Sequence, residues 1–317
     1  MQIIVTSGVA EQVRERLAEL DLPVELIVVG DDGVTDSDLS QAVALFRANL
    51  SQAGYERILE RATSLCWMHT ASAGVENLLS DAIKERGISF TNSAGVHAIP
   101  IAEWVLHALL TIVKRGPRML AAQHEHRWER DVEFDELGGK TLTILGAGGI
   151  GQEIARRAAG FGMRILGVNR SGRDVEGFER IVSGEQWRDL LPETNFLVIA
   201  TPLTDATKHL IGAHELEALP DHAWLINIAR GAIVDEPALV AALQNGTIAG
   251  AALDTFEQEP LPVESPLWTL PNVLISPHNS GSSPRSTDRV VDLFIENLKR
   301  FVADEPLRNV VDLEAGY

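Results

Sequence analysis

Cysteine is nearly absent: Cys66 stands alone in 317 residues, so neither an internal disulfide nor a C-x-x-C zinc or redox motif can form. No apolar run approaches the roughly 18 residues of a membrane span. The opening stretch MQIIVTSGVAEQV lacks the basic region and apolar run of a secretory signal. These absences predict a soluble protein of a reducing compartment, with a cytoplasmic location. Basic charge is scarce too. Lysine and arginine total 27 against 45 acidic residues, and five of the 27 are lysine. The formal charge of −18 argues against nucleic acid as a partner, since a phosphate backbone requires a basic surface. The acidic residues are spread along the chain, which reads as a solvated, mutually repelling surface. His124 and His126 in HEHRW have the spacing of a metal pair, but no third ligand is evident, and no metal site is expected.

What the chain does have is alternation. Short apolar runs and amphipathic helical stretches follow one another from end to end, the pattern of an α/β protein with parallel sheets. In the first 95 residues the expected strands are IIVTS, VELIVVG, AVALFR, SLCWMHT and ISFTN. Helical patterns such as AEQVRERLAEL and VENLLSDAIKERG lie between them, the latter closed by Gly87 as a C-terminal glycine. A long apolar helix is predicted from Ile99 to Gly116, started by Pro100 and ended by Gly116-Pro117. Its length of roughly 25 Å, at 1.5 Å per residue, is enough to reach between two domains. The polar AAQHEHRWERDVEFDELGGK then reads as an irregular arm. A second series follows as TLTIL, RILGV, NFLVIAT, AWLINIA, IAGAALD and NVLISPH. The closing stretch, SPRSTDRVVDLFIENLKRFVADEP, reads as an amphipathic helix that packs back on the first domain. The expected fold is therefore α/β, two doubly wound parallel-sheet domains. A Rossmann domain at 98–280 would be inserted in a flavodoxin-like domain built from 1–97 and 281–317.

The run from Gly146 to Gly151 fits G-x-G-x-x-G and sits between the strand TLTIL and the helix QEIARRAAGFG. Gly146 would permit the tight turn, Gly148 the approach of a pyrophosphate, and Gly151 close packing of helix on strand. Gly149 and Ile150 would begin the helix whose free N–H groups and positive dipole end meet the phosphates. About twenty residues further on, an NAD-type unit carries an Asp or Glu on the ribose. ILGVNRSGRD has Asn169 there instead. Asn169 removes the repulsion of a 2′-phosphate. Arg170 and Ser171, with Arg173 beyond, offer two cations and a hydroxyl where that phosphate would lie. NADP(H) is the preferred cofactor, with NAD(H) the second candidate.

In an open parallel sheet, ligands bind beyond the carboxyl ends of the strands. The second series ends in Thr201-Pro202, Arg230-Gly231, Asp254 and His278, which would share one crevice with the dinucleotide. Taken singly, each has an ordinary reading. His278 could sit beside a turn, Arg230 on the surface and Asp254 as a cap, with Glu257 and Glu259 as loop surface.

INIARGAIVDEPALVAAL, ALDTFEQEPLP and SPHNSG resemble three signature blocks of the D-isomer-specific 2-hydroxyacid dehydrogenases, in particular the NADP-preferring glyoxylate/hydroxypyruvate reductases. ATPLTDATKHLIG and the glycine loop match in order and spacing, and WMHTASAGVENL and TNSAGVHAIPIAEWVL are similar to the family's substrate-loop and hinge segments. Phosphite and formate dehydrogenases and a group of transcriptional corepressors share the scaffold. The resemblance implies Arg230, Glu259 and His278 as the catalytic set. It also implies carboxylate binding by the backbone of Ala73, Gly74 and Val75, a nicotinamide pocket lined by Thr201 and Pro202, and a carboxamide contact from Asp254. The implied reaction is reduction of a small 2-oxoacid such as glyoxylate, hydroxypyruvate or pyruvate to a D-2-hydroxyacid. His278 would carry the proton. Glu259 would favour its charged form and orient the ring, and Arg230 would grip the substrate carboxylate. A homodimer is implied, with the arm around 117–140 as a contact. Substrate specificity is expected from loops of the first domain near Arg47, Trp67 and His69.

Overall fold

The computed structural model describes residues 1–20, 22–75, 78 and 80–313. Two compact units emerge, Met1–His97 with Ser283–Tyr317, and Ala98–Ser282.

In the first unit, β1 (Gln2–Thr6), β2 (Glu25–Val29), β3 (Ala42–Arg47), β4 (Trp67–Thr70) and β5 (Ser89–Thr91) form one parallel sheet in the order β2-β1-β3-β4-β5. Their sequences are almost continuously apolar because both faces are covered. Alternate residues serve opposite faces. Ile4, Leu45 and Met68 pack with Tyr55 and Ile58 on one side. Ile3, Val5, Phe46 and Trp67 meet Val291, Phe294 and Leu298 on the other. Those last three belong to the helix Ser286–Val302, which lies in the first unit. Of VENLLSDAIKERG, Asp81–Glu85 is helical and Gly87 follows with φ of +62°. Positions 76, 77 and 79 of that stretch lie outside the described residues.

In the second unit, β6 (Thr141–Leu145), β7 (Arg164–Val168), β8 (Arg180–Val182), β9 (Phe196–Ile199), β10 (Trp224–Asn227), β11 (Gly250–Leu253) and β12 (Val273–Ile275) form a second parallel sheet. The order is β12-β11-β10-β9-β6-β7-β8, so strand order reverses between β6 and β9, the topological switch of a Rossmann sheet.

Three expectations change. The edge strand β8 has no counterpart in the sequence reading. It is three residues long, and half-buried or exposed, so it carries no apolar pattern. The long helix is Ala98–Val113 and belongs wholly to the second unit. It is too apolar to stand in solvent, and Ala102, Val105 and Leu109 pack in one cluster with Ile154, Ala155 and Ala158. Gly116-Pro117 starts a second helix, Gly116–His124, which takes in the first four residues of the expected arm, while 125–140 carry neither helix nor strand. Arg115, at φ +53°, breaks the first helix. Pro117 is tolerated in the first turn of the next, where its missing N–H has no partner to lose. No helix among the described residues is long and apolar enough to cross a membrane.

Candidate active site

Val168, Leu145, Ile199, Asn227, Leu253 and Ile275 are register partners in one row across the second sheet. Asn169, Gly146, Thr201, Arg230, Asp254 and His278 each follow that row by one to three residues. Parallel pairing therefore gathers residues more than a hundred positions apart at a single sheet edge. This is the edge at which open α/β sheets bind ligands.

The glycine loop opens that edge. Gly146 has φ of +109°, and a Cβ there would stand 2.5 Å from the Ala200 carbonyl oxygen. A Cβ on Gly151 would stand 2.1 Å from the carbonyl oxygen of Gly146. Both positions therefore require glycine. Gly148 is different: nothing lies within 4 Å of its missing Cβ, and no side chain caps the helix Gly149–Ala159 that follows. Gly149 and Ile150 begin that helix, leaving first-turn N–H groups for an anion. The loop fits a dinucleotide pyrophosphate, because backbone is exposed where the phosphates need it and crowded elsewhere. At the end of β7, Asn169 Nδ2 donates to the carbonyl of Arg173 at 2.8 Å. Ser171 Oγ donates to Asn169 Oδ1 at 3.2 Å, and the Ser171 oxygen accepts from Arg173 N at 3.4 Å. These contacts curl the segment into a small polar loop whose Arg170 and Arg173 are exposed.

Thr201 is half-buried after β9, and the Pro202 carbonyl accepts from Thr207 Oγ1 at 2.7 Å. After β10, the buried Asn227 side chain braces the chain in both directions. Its Nδ2 donates to the Arg230 carbonyl at 3.0 Å, and its Oδ1 accepts from Ala229 N at 3.1 Å. Gly231 then lies hard against the next loop, where a Cβ would come 1.8 Å from the Phe256 carbonyl carbon. Glycine at 231 thus lets the loop bearing Arg230 touch the loop bearing Glu259. Asn227 and Gly231 were missed as site-builders. An amide inside the apolar run WLINIA was the available signal.

Glu259 and His278 meet directly. Glu259 Oε2 lies 2.7 Å from His278 Nδ1, while Oε1 accepts from Phe256 N at 3.0 Å. Both side chains retain substantial exposure. The pair is a charge-assisted contact that leaves Nε2 as the ring's other nitrogen. Asp254, 1% exposed, does not point its carboxylate into open space. It receives Ser276 Oγ at 2.5 Å together with the N–H groups of Asn279 and Ser280.

Ala73, Gly74 and Val75 belong to the first unit, in the loop after β4. Asn92 Nδ2 donates to the Ala73 carbonyl and Ser72 Oγ to the Gly74 carbonyl, each at 2.8 Å. Of the residues near the expected specificity loops, Arg47 is the last of β3, and Trp67 and His69 lie in β4. Trp67 and His69 are fully buried. Apolar packing claims them because β4 is an interior strand covered on both faces, while half-buried Arg47 donates from Nη2 to the Leu50 carbonyl at 2.8 Å. Among the described residues no group of three His, Cys, Asp or Glu side chains could hold a metal ion.

Residues 106–280 match the family model described as D-isomer specific 2-hydroxyacid dehydrogenase, NAD binding domain. Glyoxylate/hydroxypyruvate reductase B of Yersinia pestis is 32% identical over 308 residues, covering 93% of this chain and 92% of that protein. D-3-phosphoglycerate dehydrogenase of Methanocaldococcus jannaschii is 33% identical over 81% of this chain, which spans only about half (49%) of that relative's length. Among solved structures, a D-isomer specific 2-hydroxyacid dehydrogenase from Xanthobacter autotrophicus in complex with NADPH and MES superposes with a TM-score of 0.87. It is 30% identical over 100% of this chain and 99% of that one. An NADPH-dependent glyoxylate/hydroxypyruvate reductase from Sinorhizobium meliloti, in complex with NADP and sulfate, gives 0.84 at 29% identity, over 100% and 99% of the two chains. With the glycine loop and the strand-end residues on one edge of the sheet, the chain belongs to the D-isomer specific 2-hydroxyacid dehydrogenase family.

Proposed function

We propose that this chain is an NADPH-preferring reductase of small 2-oxoacids, with glyoxylate and hydroxypyruvate foremost and pyruvate as a third candidate, and that its products are D-2-hydroxyacids. The observation that carries this reading is the 2.7 Å Glu259–His278 contact at the sheet edge that also bears the glycine loop. Reduction puts a hydride on the carbonyl carbon and a proton on its oxygen. The bound cofactor supplies the hydride. His278 supplies the proton from Nε2, because Nδ1 faces Glu259, whose carboxylate orients the ring. Arg230 offers a planar fork to the substrate carboxylate and polarises the neighbouring carbonyl. Thr201 and Pro202 line the nicotinamide pocket.

Cofactor choice rests on the loop after β7. It presents an amide, a hydroxyl and two guanidinium groups and, at position 169, no carboxylate. A 2′-phosphate is attracted there rather than repelled. A homodimer is part of the same reading. Met119, Leu120, Trp128 and Phe134 are exposed on the segment 116–136, and Trp128 is 89% exposed. A second copy would cover them; sedimentation velocity reads the oligomeric state, and a monomer would overturn this part of the reading.

The test is loss of the near-ultraviolet absorbance of reduced nicotinamide with glyoxylate, hydroxypyruvate and pyruvate, run with NADPH and with NADH. Turnover with at least one acid and a lower KM for NADPH is expected. Silence across the acids, with tight dinucleotide binding, would make the chain a dinucleotide-sensing binding protein instead. A KM for NADH at or below that for NADPH would overturn the cofactor preference alone.

A further inference from the structure

His278 has φ of +52°, the left-handed region that residues with a Cβ rarely adopt. Something must hold it there. Its own N–H donates to the Asp254 carbonyl at 2.8 Å and to the Ser276 carbonyl at 3.1 Å. The residues on either side of it converge on the Asp254 carboxylate. Ser276 Oγ donates to Oδ1 at 2.5 Å and Asn279 N to the same oxygen at 2.9 Å. Ser280 N reaches Oδ1 at 3.2 Å and Oδ2 at 3.0 Å. A carboxylate buried this deeply is tolerated only when donors replace its water. Here the replacements are two backbone N–H groups and one hydroxyl, from the positions two before, one after and two after the histidine.

The same loop holds the other end of the residue, since Glu259 meets Nδ1 of the ring. Backbone and imidazole of His278 are thus fixed by two carboxylates five positions apart in the segment after β11. Only Nε2 is left to face a reacting atom. We propose that Asp254 is a positioning residue for His278. Its carboxylate clamps the turn from Ser276 to Ser280 so that the histidine keeps its left-handed backbone and aims Nε2 in one direction. This assignment rests on the reading of His278 as the proton donor. It differs from the expected carboxamide contact, because it acts through the histidine and not through the cofactor.

A double-mutant cycle tests it in the full-length protein. Asp254→Asn keeps the size of the side chain but sets an NH2 against incoming donors, and should lower kcat by about 10²-fold, the scale of a misplaced reacting group. Its dissociation constant for NADPH, read by fluorescence titration, should change by less than about threefold. In the His278→Ala background the same change should cost nothing further, because the group it positions is gone. Ser276→Ala, which removes one donor and leaves the N–H contacts, should lower kcat by a few-fold at unchanged dissociation constant and melting temperature. It decides the matter if Asp254→Asn does not fold. Multiplicative losses in the cycle, or a rise in the NADPH dissociation constant matching the loss in kcat, would overturn the proposal and return Asp254 to the cofactor. An activity-free readout separates this from the functional reading: the ¹⁵N ring signals of His278, assigned by their absence in His278→Gln. Those signals should shift and broaden in Asp254→Asn. If they do so in a protein that reduces no 2-oxoacid, the reductase reading fails and the clamp stands. If they are unmoved, the clamp is wrong.

Discussion

β4 of the first unit passes through His69, and β12 of the second runs on into His278, so each parallel sheet has a histidine near the carboxyl end of a strand. Their surroundings are opposite. His69 is fully buried, with ring centroids 5.3 Å from Phe46 and 5.8 Å from Phe294. Its polar partners are hydroxyls: Thr91 Oγ1 at 2.8 Å from Nδ1 and Ser93 Oγ at 3.3 Å from Nε2. Burial without a charged partner pushes its pKa down to about 3, so the ring is neutral at any ordinary pH. His278 is exposed and paired with a carboxylate. A histidine at a strand end is thus not evidence of chemistry. What separates the two is whether the sheet edge is closed by aromatic packing or left open with a carboxylate in reach.

The largest effect expected from breaking this contrast is in turnover. His278→Ala should lower 2-oxoacid reduction by about 10²-fold or more, the usual scale for loss of a positioned acid. Its melting temperature should stay close to the parent's, because the side chain is solvent-exposed. Near-normal turnover in a stopped-flow assay would remove His278 from the mechanism.

The buried histidine should show itself in stability. The folded state keeps His69 neutral, whereas the unfolded chain takes up a proton below the ordinary value of 6.5. Its contribution is therefore fully present above pH 6.5, drains away as pH falls, and loses nothing more below about 3. Between pH 7 and pH 5 the loss amounts to about 2 kcal/mol. His69→Gln should be less stable at pH 7 but have a flatter pH dependence in urea titrations. An unchanged slope would mean that the ring is protonated in the folded protein.

The smallest effect serves as a control. Ser51 caps the helix Gln52–Arg61 in the first unit by accepting from Gly54 N at 3.1 Å. Ser51→Ala should cost about 1 kcal/mol and leave the slope with pH untouched. Parallel urea curves for parent and variant would separate general weakening of the unit from titration of His69.

Much of the second unit was legible because its signals are local. A strand, a glycine loop and a helix occur within thirty residues of sequence, and the crowding of Gly151 against Gly146 acts within that span, whereas the crowding of Gly146 against Ala200 comes from the end of the neighbouring strand β9. Arg230, Asp254 and His278 could be read as strand-end residues because apolar runs mark where strands stop. The helix Gly116–His124 was hidden by a Gly-Pro pair that stops one helix and starts another. β8 was hidden by its shortness at the sheet margin. The burial of Trp67 and His69 was not readable either, since it depends on Phe294, more than two hundred residues away in the chain.

The sequence alone determined that there are two parallel sheets, that one carries a G-x-G-x-x-G turn, and that position 169 lacks the acid of an NAD site. Hydrophobic periodicity, glycine conformations and residue identity each act within a short segment and need no partner. The strand-end rule already expects Arg230, Asp254 and His278 beside the dinucleotide, but only the tertiary structure fixed the register that sets which residues lie abreast. It alone brought Gly231 against Phe256 and turned the Asp254 carboxylate toward the residues around His278. Those contacts join loops that follow different strands, and their geometry exists only once β10, β11 and β12 are aligned.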